Sequence, residues 1–151
     1  MDRSSPTLPV LTVHESYLLP VRAEDFGVCG ECNYVAGCFD DCVYIDSTGL
    51  EWRVRGAEIA GYRNPFHRLI PRKYREVRVT FDFEIGAQYS LSELKSRVRR
   101  FLLGNKLRGQ PFLNKQADID KYLGQFTSVK QLISEIGFFD ARHNRNLTSN
   151  A

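Results

Sequence analysis

Four cysteines fall between Cys29 and Cys42, in the run CGECNYVAGCFDDC, and the 151-residue chain has no others. Thiols this close together could hold a metal, form a disulfide or run redox exchange. The spacing C-x2-C-x5-C-x3-C lacks the dozen or more residues that separate the two ligand pairs of a structural zinc site. It also departs from the iron–sulfur templates. No parallel βαβ context surrounds Cys29-Gly-Glu-Cys32, and Glu31, Asp40 and Asp41 work against a thiolate. The thiols are therefore expected to pack, with no metal and no cofactor.

Other reactive types are sparse. His14, His67 and His143 share no short motif. No phosphate loop, dinucleotide fingerprint or nucleophile elbow is present, so the chain is expected not to be an enzyme. No apolar run approaches the roughly 20 residues of a membrane span. The start, Met1-Asp2-Arg3-Ser4-Ser5-Pro6, has no basic region leading into an apolar one, so a cytoplasmic protein without membrane contact is expected.

Charge is the more informative signal. The net charge is +3, yet residues 1–60 carry −6 and residues 61–110 carry +8. Carboxylates at Glu24, Asp25, Glu31, Asp40, Asp41, Asp46 and Glu51 surround the cysteines and the turn that follows. They could form an acidic surface that steers a basic protein partner. In the basic part, Arg63, Arg68, Arg72, Lys73, Arg75 and Arg78 interleave with Tyr62, Phe66, His67 and Tyr74. With Lys95, Arg97, Arg99 and Arg100, these could instead hold a phosphate backbone and stack bases.

The elements that must position these groups read as one α+β domain over residues 10–140, between a flexible arm (1–9) and a disordered tail (141–151). Residues 10–19 offer an opening strand. Val43–Ile45, the turn Asp46-Ser47-Thr48-Gly49, and Leu50–Arg55 read as a β-hairpin, with Leu50, Trp52 and Val54 alternating against Glu51, Arg53 and Arg55. Strict alternation marks a long strand at 77–85, its polar side facing water. A helix then starts at Ser90, where Glu93 completes a capping box and Tyr89 and Leu94 form a hydrophobic staple; Gly104 stops it. Two shorter helices follow, near Ile119–Leu123 and from Val129 to Ile136, the second capped by Ser128 and Gln131. The expected architecture is a mainly antiparallel sheet with helices packed on one face.

Three stretches, CFDDCVYIDSTGLEWRVRGAEIAG, REVRVTFDFEIGAQYSLSELKSRVRRFL and ADIDKYLGQFTSVKQLISEIG, carry a resemblance over residues 38–137. In the D-x-x-G turn, the strand-to-helix join and the closing S-x-x-x-L-I helix, the chain resembles small bacterial immunity proteins of polymorphic or contact-dependent growth-inhibition toxins. The resemblance implies a non-catalytic inhibitor that binds one cognate toxin domain in the cytoplasm of the producing cell. It transfers no binding residues; the seven carboxylates rest on charge alone. Inhibitors of nucleases are commonly acidic overall, so either the acidic third alone meets the toxin or the toxin is not a basic nuclease. The alternative is a small nucleic-acid-binding protein using Arg63–Arg78, with a cysteine-bound zinc as an option.

Overall fold

In the computed structural model, residues 5–14, 17–104, 115–137 and 139–140 are described. The strands are β1 (Val10–Val13), β2 (Tyr17–Val21), β3 (Val28–Gly30), β4 (Val43–Asp46), β5 (Leu50–Tyr62), β6 (Glu76–Gln88) and β7 (Phe139–Asp140). The helices are α1 (Glu31–Val35), α2 (Leu91–Gly104), α3 (Gln116–Gly124) and α4 (Val129–Glu135). The strands form one antiparallel sheet in the order β3-β6-β5-β4-β1-β2-β7. This is the α+β arrangement expected from the order of the elements.

The expected opening strand is divided. β1 and β2 pair antiparallel, Val13 against Leu18, and the His14 N–H donates to the Tyr17 carbonyl at 3.0 Å. The polar His14-Glu15-Ser16 run is where the apolar stock breaks, and doubling back places Leu11 and Leu18 in one core.

Both faces of the sheet are covered. Leu11, Leu18 and Ile45 pack with Leu94, Val98 and Leu102 of α2 and with Ile119, Leu123, Leu132 and Ile133 from α3 and α4. Helices α2, α3 and α4 thus lie on one face, each burying the apolar stripe that its 3.6-residue spacing creates. On the other face Val10, Cys42, Tyr44 and Trp52 form a second core, with Phe26 and Phe83 packed against it. Phe39 meets Phe81 edge-on at 4.9 Å, so the cysteine-bearing segment roofs this second face. Each large side chain so buried contributes about 1.5–3 kcal/mol.

Local signals place the joins. Asp46 Oδ1 accepts from the Thr48 N–H at 2.8 Å, and the Gly49 N–H donates to the Asp46 carbonyl at 2.8 Å. Gly49 takes φ 86°, which favours glycine. Before α2, the Ser90 N–H donates to Glu93 Oε2 at 2.8 Å and the Glu93 N–H returns to Ser90 Oγ at 3.3 Å. At α4 the box is half formed: Ser128 Oγ accepts from the Gln131 N–H at 3.1 Å, but the Gln131 side chain turns to Thr127.

β5 runs seven residues beyond Arg55, because bulges near Arg55 and Ala60 let it keep pairing with β6. The described part of the N-terminal arm, expected to be loose, is tied down at Thr7. Its N–H donates to Asp46 Oδ2 at 3.1 Å, and its carbonyl accepts from the Ser47 N–H at 3.0 Å. Residues 1–4 and the expected tail from 141 lie outside the described residues.

Candidate functional site

The seven carboxylates do not form one surface. Asp46, at the end of β4, is fully buried beneath five donors: the N–H groups of Thr7, Thr48 and Leu50, the Thr48 hydroxyl at 2.6 Å, and Trp52 Nε1 at 3.0 Å. Burial alone would raise its pKa; the bonds from Thr48, Thr7 and Trp52 outweigh it and hold the carboxyl below the usual aspartate range. Glu51, on the side of β5 expected to face water, is only 2% exposed. Arg97 of α2 reaches it at 2.9 Å, Arg53 at 2.7 Å and the Tyr89 hydroxyl at 2.9 Å. Burial opposes its ionisation, but the bonds from Arg53, Arg97 and Tyr89 win and lower its pKa. Both residues are internal braces, inaccessible to a partner in the folded chain.

Glu31 opens α1 and lies 3.5 Å from Arg72 and 3.6 Å from Arg75, its side chain 14% exposed. Asp25 lies 3.6 Å from Arg63 in an exposed pair that adds little stability. Glu24, Asp40 and Asp41 are exposed. Pairing of β3 with β6 brings the acidic segment beside the basic one, so that Asp25 and Glu31 are matched by Arg63, Arg72 and Arg75.

The basic stretch is built into the far end of the β5–β6 hairpin. There Asn64 caps a short 3-10 turn, Pro65–Leu69, its Oδ1 accepting from the Phe66 N–H at 2.9 Å, and a second turn spans Arg72–Tyr74. Arg75 spans the loop, donating to the Ile70 carbonyl at 2.8 Å and to the Arg68 carbonyl at 3.3 Å. His67 Nδ1 accepts from the Glu76 N–H at 3.0 Å. With Arg63 also paired to Glu76, at 3.4 Å, three of the arginines brace the tip. Arg68, Lys73 and Arg78 have no ion pair among the described residues. Lys73 lies over the Tyr74 ring, 4.8 Å from its centre.

On this braced tip Phe66, Leu69 and Tyr74 are 71%, 82% and 62% exposed. The aromatic pair is visible in the sequence as part of the interleaved stretch. Leu69 is not, because nothing local separates an exposed leucine from a core one. On α2, Arg99 pairs with Asp120 at 2.6 Å and Arg97 with Glu51, so of the expected basic helix face Lys95 and Arg100 are without an ion pair among the described residues.

The cysteines are free thiols: Cys42 buried, Cys29 half-buried, Cys32 and Cys38 exposed. Cys29, Cys38 and Cys42 line a cavity of about 350 Å³ with Tyr17, Phe39 and Tyr44. Burial pushes the Cys29 pKa up to about 12, with Cys38 adding to the shift, and pushes Cys42 up to about 11. Such thiols are poor nucleophiles near neutrality. Among the described residues no group of three or more His, Cys, Asp or Glu side chains is placed to hold a metal ion. None of the described helices is long and apolar enough to cross a membrane.

Compared with protein-family models, curated proteins and solved structures, the chain matches none.

Proposed function

We propose that this protein is a non-catalytic immunity protein that binds and neutralises a cognate bacterial toxin domain in the cytoplasm of the producing cell. It engages that domain with the end of the β5–β6 hairpin. The observation that carries the interface is the exposed cluster of Phe66, Leu69 and Tyr74 on a tip fixed by caps and ion pairs. Apolar side chains held out in water on an ordered element gain most when a partner covers them. Aromatic and arginine side chains are also the types that dominate binding energy at interface centres. With Arg68 and Lys73 beside the cluster, the complementary surface is apolar with an acidic rim. This favours the branch in which the toxin is not a basic nuclease.

Exposed Phe66 and Tyr74 beside Arg68 and Lys73 also suit single-stranded nucleic acid. Commitment of Arg63, Arg72 and Arg75 to carboxylates makes that the second reading. Co-expression separates them. The C-terminal domain encoded by the adjoining upstream open reading frame should arrest growth alone and be tolerated beside this protein. Tolerance should vanish with Phe66→Ala plus Leu69→Ala. Continued arrest in the presence of the wild-type protein would refute the immunity role.

A further inference from the structure

The sheet has one long edge that no described strand covers. β3 pairs with β6 only from Glu76 to Arg78, and beyond it the Val79 N–H donates to the Gly27 carbonyl at 2.7 Å. β6 continues for nine more residues, to Gln88. Direction along this strand is fixed by two bonds. The Glu76 carbonyl accepts from Arg63 on the β5 side, whereas the Val79 N–H points away from β5. Main-chain groups alternate along a strand, and the bulges of this pair from Trp52 to Gly61 lie on β5, leaving the parity of β6 unbroken from Val79 to Ile85. The N–H and C=O groups of Phe81, Phe83 and Ile85 therefore point outward, and none of them has a hydrogen-bond partner among the described residues.

We propose that the outer edge of β6, from Phe81 to Ile85, accepts an added antiparallel strand from a partner protein whose residues alternate basic and apolar. Main-chain groups of Phe81, Phe83 and Ile85 would complete the ladder, the usual source of affinity in strand addition. Side chains select the occupant. Asp82, which has no ion pair among the described residues, and Glu84, already paired to Arg55 of β5, are exposed on one face of the edge, while the half-buried Phe81 and Phe83 and the 53% exposed Ile85 lie on the other. A second copy pairing about Phe83 would set Asp82 opposite Glu84 of its mate, and like charges directly opposite destabilise a pair. Lysine or arginine at those positions, alternating with apolar residues, satisfies both faces. This edge is distinct from the hairpin tip, so the proposal stands whether or not the partner is a toxin.

The probe is an end-blocked ten-residue peptide alternating lysine and valine, titrated by fluorescence polarisation and followed by amide exchange. Binding should protect the amides of Phe81, Phe83 and Ile85, which exchange fast in the free protein. A glutamate–valine peptide should bind at least tenfold more weakly, and Asp82→Lys with Glu84→Lys should reverse that preference. Ile85→Pro removes an outward N–H without touching the β5 ladder, a placement that edge strands tolerate. It should abolish peptide binding while the protein stays folded. Absence of binding, or binding that leaves those three amides unprotected, would overturn the proposal independently of how the proline variant folds. So would a dimer of the free protein that Ile85→Pro dissolves, since the occupant would then be a second copy.

Discussion

The indole N–H of Trp52 donates to the carboxylate of Asp46 at 3.0 Å, with both residues essentially excluded from water. The same carboxylate takes the Thr7, Thr48 and Leu50 N–H groups, so one side chain ties the arm, the hairpin turn and the second core together. Asp46→Ala strands several of these donors at once. At about 1–3 kcal/mol for each buried group left unpaired, a loss of about 3 kcal/mol in unfolding free energy is expected, read by urea denaturation. A loss below about 1 kcal/mol would show that water or a shifted backbone replaces the carboxylate.

The two buried carboxylates also make stability depend on pH in acid. Folded Asp46 and Glu51 ionise at lower pH than they do unfolded, so the unfolded chain binds more protons in acid. Their contribution is complete above the ordinary carboxylate pKa values, about 4. It is lost as pH falls through that range to the depressed folded values. Stability measured from pH 6 to pH 2.5 should decline below about pH 4.5, and Glu51→Gln should flatten part of the decline.

Thiol labelling tests the cysteine segment. Iodoacetamide at pH 8 should modify exposed Cys32 first, and Cys29 and Cys42 only after unfolding, since burial holds both thiols protonated. Rapid modification of Cys42 in the folded protein would mean that the roof over the second core opens readily.

What could be read from the chain follows the range of the interactions. The Ser90–Glu93 box and the Asp46–Gly49 turn are made by residues within four positions of each other, and both were readable. The α+β class followed from the order of the elements, strands first and then helices. Glu51 defeats reasoning from alternation: it sits on a side of β5 patterned for water, and distant partners, Tyr89 and Arg97, 38 and 46 residues later, make that side an interior. The candidate site fails for the same reason. Acidic and basic thirds are separate in sequence, but β3–β6 pairing brings Glu31 against Arg72 and Arg75 while Asp46 and Glu51 are buried, so the seven carboxylates do not make one acidic face.

The central claim, that the β5–β6 tip carries partner binding, is tested most directly by calorimetric titration of the adjoining-gene toxin domain with three proteins. These are the wild type, Phe66→Ala plus Leu69→Ala, and Asp40→Lys plus Asp41→Lys. Phe66 and Leu69 are exposed, so their removal should change stability by no more than about 0.5 kcal/mol. It should nevertheless weaken binding at least 100-fold, about 2.7 kcal/mol, while the aspartate reversal stays within threefold of wild type. Unchanged affinity in the tip variant, with a large loss in the aspartate variant, would contradict the account and return the interface to the carboxylates beside the cysteines.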